Sequence, residues 1–229
     1  GAKIGENCHI FCPKDTSIDT SNLYLLEIGN NVKITGPTTI LMHDYSTCVI
    51  NRLDKKIYGL KGDSGSGKTT LGKVLAGYLD SFSGEVEVDG KVYSQKTAGF
   101  HPVQIIHQHP EKSINPRWKM KEILQEADID KEETMDIFQI REEWLERWPT
   151  ELSGGELQRF CIARAFDKRT HYIIADEITT MLDGITQAEL WKKIITLCKL
   201  RNIGLIIISH EQSLLEKLCD KIIDFELLK

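Results

Sequence analysis

Apolar positions along the chain fall into two kinds of run. Residues 57–60, residues 172–175 and the stretch IGLIIIS from Ile203 are short and almost continuously apolar. Runs of this length are typical of parallel strands that are buried on both faces. A helical spacing appears instead at Leu71, Val74, Leu75 and Leu79. Strands that alternate with helices predict an α/β domain with a mainly parallel sheet.

A different period occupies the amino-terminal part of the chain. Isoleucines recur there every six residues, at Ile4, Ile10, Ile28, Ile34 and Ile40. With Gly5 and Gly29, this pattern over about residues 3–46 resembles a fragment of a hexapeptide-repeat acyltransferase, which implies coils of a left-handed β-helix. Residues 1–50 are therefore predicted to form a separate β segment. The alternative is that they supply the divergent first strands of the domain that follows.

Composition narrows the class of protein. Hydrophobic residues make up 41% and charged residues 28% of the 229 residues, and the formal net charge is −5. This balance is ordinary for a globular protein and gives no general attraction to nucleic acid, so no nucleic-acid partner is expected. The six cysteines are predicted to be reduced thiols of an intracellular protein. No apolar run approaches the roughly 18 residues that a membrane-spanning helix needs.

A glycine-rich turn separates the first apolar run from the first helical pattern. Gly62 is followed by four residues and then by Gly67-Lys68-Thr69, in a strand–loop–helix context that favours phosphate binding. Lys68 can reach the β- and γ-phosphates of a nucleotide, and the Thr69 hydroxyl can bind Mg²⁺. The predicted phosphate-binding residues are Gly62, Asp63, Ser64, Gly65, Ser66, Gly67, Lys68, Thr69 and Thr70.

Polar residues follow two of the predicted strands directly. Asp176 and Glu177 come after the run 172–175, and His210 follows the stretch IGLIIIS. Ligands of parallel sheets bind at the carboxyl ends of the strands. Asp176 is therefore expected to hold Mg²⁺, and Glu177 to orient or deprotonate an attacking water. His210 would reach the γ-phosphate.

The segment ELSGGELQRFCIARAF identifies a family resemblance. Its residues Ser153, Gly154, Gly155 and Glu156 begin a helical pattern about twenty positions before the acidic strand. A helix start of this kind can bind an anion. The segment resembles the LSGG[QE] signature motif of the ATP-binding cassette (ABC) ATPases. The resemblance covers about residues 55–229 and implies that these four residues contact a γ-phosphate held by a second nucleotide-binding domain.

Other positions match the motifs of this family. Gln108 matches the Q-loop glutamine, Asp183 matches the aspartate of the D-loop, and His210 matches the switch histidine. The segments HQHPEKSINPRWKMKEIL and RWPTELSGGELQR look most like the ATPases of oligopeptide, dipeptide and nickel importers. That subgroup usually has proline after the glutamate of the acidic strand, where this chain has Ile178.

The resemblance implies a complete ATPase site in residues 51–229, with a helical subdomain at about residues 109–160. The implied catalytic residues are Glu177, His210, Gln108 and Lys68, and the implied ligands of Mg²⁺ are Thr69, Gln108 and Asp176. ATP and Mg²⁺ are the expected cofactors. The expected partners are a second nucleotide-binding domain and transmembrane transporter subunits, which would hold the chain on the cytoplasmic face of the membrane. Within the helical subdomain, Trp144 and Trp148 are spaced i,i+4 and are predicted to lie in the core.

One part of the family pattern has no counterpart in the sequence. Residues 34–40, where the family has an aromatic residue that stacks on adenine, contain none, and Tyr24 and Tyr45 are out of register. Two alternative functions therefore stay open at this point. One is a chimeric or degenerate nucleotide-binding module with little turnover. The other is a hexapeptide-repeat acyltransferase fragment in which His43 would act as the general base.

Overall fold

The computed structural model describes residues 55–63, 65–80, 85–180 and 182–225, together with six short strands nearer the amino terminus. These strands are β1 (Lys3–Ile4), β2 (His9–Ile10), β3 (Thr16–Ile18), β4 (Glu27–Ile28), β5 (Lys33–Ile34) and β6 (Thr38–Ile40). Strand β1 pairs with β4, β2 with β5 and β3 with β6, and each pair is parallel. The pairing sets Ile4 beside Ile28 and Ile10 beside Ile34, as successive coils would. The hexapeptide-repeat assignment itself stays a prediction.

A five-stranded parallel sheet organises the rest of the described chain. Its strands and those of a small antiparallel hairpin are β7 (Ile57–Lys61), β8 (Val86–Val88), β9 (Lys91–Tyr93), β10 (Val103–Ile106), β11 (Tyr172–Asp176), β12 (Gly204–Ile208) and β13 (Lys221–Asp224). The sheet order is β10-β11-β12-β7-β13, and β8 pairs with β9 in the hairpin. The α/β class and the mainly parallel sheet predicted from the sequence are confirmed.

Helices follow most of these strands. They are α1 (Lys68–Leu75), α2 (Met120–Gln125), α3 (Lys131–Phe138), α4 (Gly154–Ala165), α5 (Gly184–Leu200) and α6 (Gln212–Leu218), with short 3₁₀ helices at Pro110–Lys112, Glu142–Trp144 and Pro149–Glu151. Helix α1 ends earlier than the spacing predicts. Leu79 lies beyond its end and is 42% exposed, because the backbone turns at Gly77, which has a φ of 73°.

The sheet separates two hydrophobic cores. Alternate residues of β11 and β12 belong to different cores: Ile173 and Leu205 to one, Ile174 and Ile206 to the other. The first core also contains buried residues of α2 to α6, and the second contains Leu75 of α1 and Val86 and Val88 of β8. This burial on both faces explains why the strands read as continuous apolar runs.

The segment between β10 and β11 is helical but irregular. Trp144 is buried in the first core, as predicted, whereas Trp148 is 42% exposed. The prediction for Trp148 is wrong because an i,i+4 spacing brings two side chains to one face only when both residues belong to the same helix. The chain forms two separate 3₁₀ turns instead, and Pro149 begins the second of them.

The register of the sheet brings the ends of its strands together. Asp176 at the end of β11 pairs with Ile208, and Ile208 pairs with Leu60 near the end of β7. On the other side of β11, Ile106 at the end of β10 pairs with Ala175. The segments that follow these strands therefore start from one edge of the sheet, where ligands of parallel sheets bind.

Candidate active site

The phosphate loop connects β7 to α1. Gly65 and Gly67 have φ angles of 78° and 109°, a backbone region that side-chain-bearing residues rarely adopt. A Cβ on Gly67 would also lie 3.5 Å from Cε1 of Phe225, which follows β13. Within the described chain no side chain caps α1, so its first N–H groups point toward a place that an anion can take. Ser64 lies outside the described residues.

Lys68, the first residue of α1, turns its amine back onto the loop. Nζ donates hydrogen bonds to the carbonyl oxygens of Gly62 and Asp63, each at 2.7 Å, and to Oγ of Ser66 at 3.2 Å. The residue is only 5% exposed. Three loop oxygens therefore satisfy one buried cation. A phosphate oxygen that entered the loop would compete with them for the amine.

Thr69 and Asp176 are in contact across the edge of the sheet. Thr69 Oγ1 donates to Asp176 Oδ1 at 3.2 Å. Asp176 is 5% exposed, and burial raises the pKa of its carboxyl group, with the nearby Glu177 carboxylate adding to the effect. A cation beside this carboxylate would offset the cost of its burial. Thr70 follows on the exposed side of α1.

The donor set around Asp176 fits Mg²⁺ shared with a phosphate ligand. Among the described residues, no group of three or more His, Cys, Asp or Glu side chains could hold a metal by itself. Mg²⁺ is usually bound by one or two protein oxygens together with phosphate oxygens and water, not by a cage of side chains. The carboxylate of Asp176 and the hydroxyl of Thr69 supply hard oxygen ligands of this kind.

Glu177 occupies an unusual backbone conformation. Its φ is 50°, in the left-handed region, which costs a residue with a side chain on the order of 1–3 kcal/mol. Its N–H donates to the carbonyl oxygen of Ile208 at 3.0 Å, which ties the turn to the end of β12. Oε1 of Glu177 lies 3.3 Å from Nδ1 of His210. The structure thus places the carboxylate and the imidazole of the predicted site together.

Gln108 lies at the same edge, after β10. Its Nε2 donates to Oγ1 of Thr180 at 3.3 Å, and Oγ1 of Thr180 donates to the carbonyl oxygen of Glu177 at 3.2 Å. Gln108 also lines a cavity of about 330 Å³ with Thr69 and Asp176. The remaining lining residues include two lysines and two histidines: Lys73, Tyr78, His107, His109 and Lys112.

The signature residues lie at the exposed start of α4. Ser153 Oγ accepts the N–H of Glu156 at 3.3 Å, and the Glu156 carboxylate accepts the N–H and the hydroxyl of Ser153 at 2.7 and 2.9 Å. This is a capping box, and Gly154 and Gly155 form the first turn between its two ends. One turn further on, Gln158 Nε2 donates to the carbonyl oxygen of His107, so α4 is tied to the segment that carries Gln108.

The structure does not bring the signature into the cavity at Thr69. Ser153, Gly155 and Glu156 line a separate cavity of about 460 Å³, and of the described residues none lines both. Leu182 lies next to this second cavity, 4.0 Å from the place of a Cβ on Gly155.

Asp183 is the N-cap residue of α5. Its carboxylate caps α5 by accepting the N–H groups of Ile185 and Thr186 at 3.1 Å, and it accepts the Thr186 hydroxyl at 2.6 Å. These bonds, the one from the Thr186 side chain first, lower the pKa of Asp183.

Sequence reasoning assigned no task to the two threonines that follow Ile178, although Thr180 belongs to this site and Thr179 anchors α5 beside it. Thr180 bridges Gln108 and Glu177, and Thr179 accepts hydrogen bonds from Nε2 of Gln187 at 2.8 Å and Nε1 of Trp191 at 3.2 Å. The signal was present, since two hydroxyls follow Glu177 closely in the sequence. Glu177 is only three positions from Thr180, but the other partners are 8 to 72 positions away along the chain, so those bonds could not be read from it.

Three further predictions concern side chains that the structure does not describe. The side chain of His43 lies there, as do those of residues 34–40, Tyr24 and Tyr45. Within the described part of the chain, no helix is both long and apolar enough to cross a bilayer.

The chain is similar in sequence to known ATP-binding proteins of transporters. The family described as "ABC transporter" matches residues 52–180. The oligopeptide transport ATP-binding protein OppF of Streptococcus mutans is 30% identical over 190 residues, covering 75% of this chain and 62% of that protein. The dipeptide transport ATP-binding protein DppF of Lactococcus lactis is 31% identical, covering 76% and 64%. The chain thus spans somewhat less than two thirds of the length of these relatives.

A third relative and two solved structures are similar to a larger share of their own length. The nickel import system ATP-binding protein NikE of Staphylococcus aureus is 33% identical, with 74% of each chain covered. The structure of cbiO1 from Clostridium perfringens, described as part of the ABC transporter complex cbiONQ, superposes with a TM-score of 0.62 at 22% identity, over 75% of this chain and 73% of that one. The cassette MJ0796, a dimer bound to ADP and Pi, gives a TM-score of 0.63 at 20% identity, over 75% and 82%. These structures show the fold, and since the family match covers more than half of the 229 residues, the protein belongs to the ABC transporter family.

Proposed function

We propose that this chain is the ATP-binding and ATP-hydrolysing subunit of a membrane transporter. The observation that carries the proposal is the meeting of three segments, those that follow β7, β11 and β12, at one edge of the sheet. Lys68 closes the phosphate loop, Thr69 contacts Asp176, and Glu177 contacts His210. The phosphate-binding loop thus lies beside a buried carboxylate, and a second carboxylate is paired with an imidazole. This arrangement supports hydrolysis of a nucleoside triphosphate.

The chemistry follows from what each side chain can do. The Lys68 amine would move from the loop carbonyls to the β- and γ-phosphates of ATP. Thr69 and Asp176 would hold Mg²⁺, which when bound neutralises charge on the phosphates. Glu177 would orient and deprotonate the attacking water, and His210 would fix the position of that carboxylate. Gln108 would offer its amide to the metal or to the water.

Two chains are needed to complete such a site. The signature residues Ser153 to Glu156 line a cavity separate from the one at Thr69. Their exposed helix start is suited to the γ-phosphate bound by another nucleotide-binding domain. We therefore infer that a second such domain, identical or related, closes over ATP, excludes water and completes the site. Asp183, near the signature, would support this contact through its cap on α5.

The direction of transport is inferred from relatives. The names of OppF, DppF and NikE refer to oligopeptide transport, dipeptide transport and nickel import. We propose by analogy that this chain drives import of a peptide, nickel or a similar small solute. Transmembrane subunits would hold it on the cytoplasmic face of the membrane.

Nucleotide titration tests the proposal at its first step. A fluorescent ATP analogue is titrated into wild type and Lys68→Met in the presence of Mg²⁺, and Lys96→Met serves as a charge-matched control. Lys96 is exposed in the turn after β9. We expect wild type and Lys96→Met to bind alike and Lys68→Met to lose affinity by tenfold or more, since hydrogen bonds to charged groups are worth about 1.5–3 kcal/mol. Absence of binding by wild type would contradict the proposal, and equal binding by all three would contradict the role of Lys68.

A further inference from the structure

The hydroxyl of Thr180 lies between two groups of the proposed site. It accepts a hydrogen bond from Nε2 of Gln108 at 3.3 Å and donates one to the carbonyl oxygen of Glu177 at 3.2 Å. Gln108 follows β10 and Glu177 follows β11, so Thr180 connects the ends of two neighbouring strands. Neither the family motifs nor the acidic strand assigns a task to this residue.

The protons of this small network fix the orientation of the Gln108 amide. A threonine hydroxyl has one proton to donate, and here the carbonyl oxygen of Glu177, which has no proton, takes it. Thr180 can then only accept from Gln108. The side of the amide that faces Thr180 must therefore be its NH₂ group, and Oε1 is left as the acceptor at the other end.

This orientation matters because Gln108 lines the cavity that also contains Thr69 and Asp176. A hard cation or a metal-bound water there requires an oxygen ligand. An amide turned by half a rotation would present two N–H donors to the cation instead. The bonds of Thr180 disfavour that arrangement. In the turned amide, Oε1 of Gln108 would face a hydroxyl oxygen that has already given its proton to Glu177, and the NH₂ group would lose its acceptor.

We propose that Thr180 is the positioning residue that sets the Gln108 amide with its oxygen available to Mg²⁺ or to a metal-bound water. The inference rests on the proposed function, because it assumes that the cavity takes a nucleotide with Mg²⁺. Thr180 also holds the carbonyl oxygen of Glu177, whose φ is 50°. The same hydroxyl therefore links the orientation of Gln108 to the strained turn that presents the Glu177 carboxylate.

The neighbouring threonine provides a matched control. Thr179 is buried, and its hydroxyl accepts hydrogen bonds from Gln187 and Trp191 of α5, not from a residue of the cavity. Thr179→Val and Thr180→Val remove the same hydroxyl from adjacent positions with little change of volume. Thr179→Val should lower thermal stability, since the buried indole N–H of Trp191 and the partly buried amide of Gln187 lose their acceptor. Thr180→Val should act on the metal site.

The test measures how strongly Mg²⁺ improves nucleotide affinity. Each protein is titrated with a fluorescent ADP analogue over a series of Mg²⁺ concentrations, and its melting temperature is recorded separately. One hydrogen bond is worth about 0.5–1.5 kcal/mol. Its loss predicts that Thr180→Val needs about 2- to 13-fold more Mg²⁺ to reach half of the maximal improvement in nucleotide affinity. Thr180→Ser, which keeps the hydroxyl, should restore most of the response, and Thr179→Val should respond to Mg²⁺ as wild type does.

A double-mutant cycle separates positioning of Gln108 from a general disturbance of the loop. In a Gln108→Ala background the Thr180→Val change should have no further effect on the Mg²⁺ concentration required. An unchanged requirement in Thr180→Val alone, or an equal increase with and without Gln108, would overturn the inference. If wild type itself bound no nucleotide at any Mg²⁺ concentration, the proposed function would fail first. Wild-type binding with an unchanged Thr180→Val would leave the proposed function intact and contradict only the role of Thr180.

Discussion

Replacing Ser153 with alanine would remove two of the three hydrogen bonds in the capping box of α4. The hydroxyl accepts the N–H of Glu156 and donates to its carboxylate, while the backbone N–H of residue 153 would keep its bond. Loss of a serine cap costs about 0.5–2 kcal/mol. Gly154 and Gly155 contribute little to the start of the helix, because glycine is about 1 kcal/mol less favourable than alanine there. For a chain of this size we expect the melting temperature to fall by about 2–4 °C for each kcal/mol lost.

A second variant separates this structural role from the proposed anion contact. Asparagine caps helices about as well as serine, so Ser153→Asn should melt close to wild type while lacking the hydroxyl. Thermal unfolding by circular dichroism and phosphate release from ATP are measured on the same preparations. We expect alanine to lower both values and asparagine to lower only phosphate release. An unchanged melting temperature in Ser153→Ala would refute the capping argument, and full hydrolysis by Ser153→Asn would refute the anion contact.

The pH dependence of the same cap has a defined sign. The hydrogen bond from the Ser153 backbone, followed by that from its side chain, lowers the pKa of Glu156 from the ordinary 4.5. A carboxyl group whose pKa is lower in the folded state contributes stability above its unfolded pKa, and loses it as the pH falls through the folded value. The difference in melting temperature between wild type and Ser153→Ala should therefore shrink when the pH is brought below about 4.5. A difference that grows on acidification would contradict the bond to the ionised carboxylate.

Three further substitutions test packing and charge. Gly204→Ala would set a Cβ 2.4 Å from Cδ1 of Tyr172 on the neighbouring strand, so the urea midpoint should fall with a loss of about 1–3 kcal/mol; an unchanged midpoint would mean that the ring moves aside freely. Asp176→Asn removes a buried carboxylate whose pKa is raised by burial, so at pH 7 the nucleotide-free protein should melt higher while the extra stabilisation by Mg²⁺ with nucleotide is lost. A lower melting temperature would show that the charge is already compensated. Phe138→Ala removes a fully buried ring whose centroid lies 5.5 Å from that of the stacked Phe166 ring. The free energy of unfolding in urea should fall by about 3–5 kcal/mol. A loss below about 1 kcal/mol would show that this ring contributes little to the stability of the core.

Much of the fold and part of the site could be predicted because the signals are contiguous in the sequence. Continuous apolar runs gave β7, β11 and β12, since these strands are buried on both faces. The rule that ligands bind at carboxyl ends predicted that Asp176 would emerge beside the phosphate loop, and the structure has it 3.2 Å from Thr69.

Other features depend on contacts that no local pattern encodes. The Thr180 network joins residues 72 positions apart and needs the register of β10 on β11 to exist first. The early end of α1 and the exposure of Trp148 had local signals that the helical spacing obscured. Gly77 ends α1, and Pro149 begins a new 3₁₀ turn directly after Trp148. For α1 the apolar spacing was continued past Gly77, and for the tryptophans it was read as one helix, although one 3₁₀ turn ends at Trp144 and the next begins at Pro149.

Phosphate release by wild type and Glu177→Gln tests the central claim most directly. Both proteins are assayed with ATP and Mg²⁺ over a range of protein concentrations, so that a second nucleotide-binding domain is available, and ATP affinity is measured in parallel. If Glu177 is the general base, the glutamine variant should bind ATP as wild type does and release phosphate about 10²–10⁴-fold more slowly. Equal, robust rates in the two proteins would contradict the assignment of Glu177. No phosphate release by wild type at any concentration would contradict the proposal that this chain hydrolyses ATP.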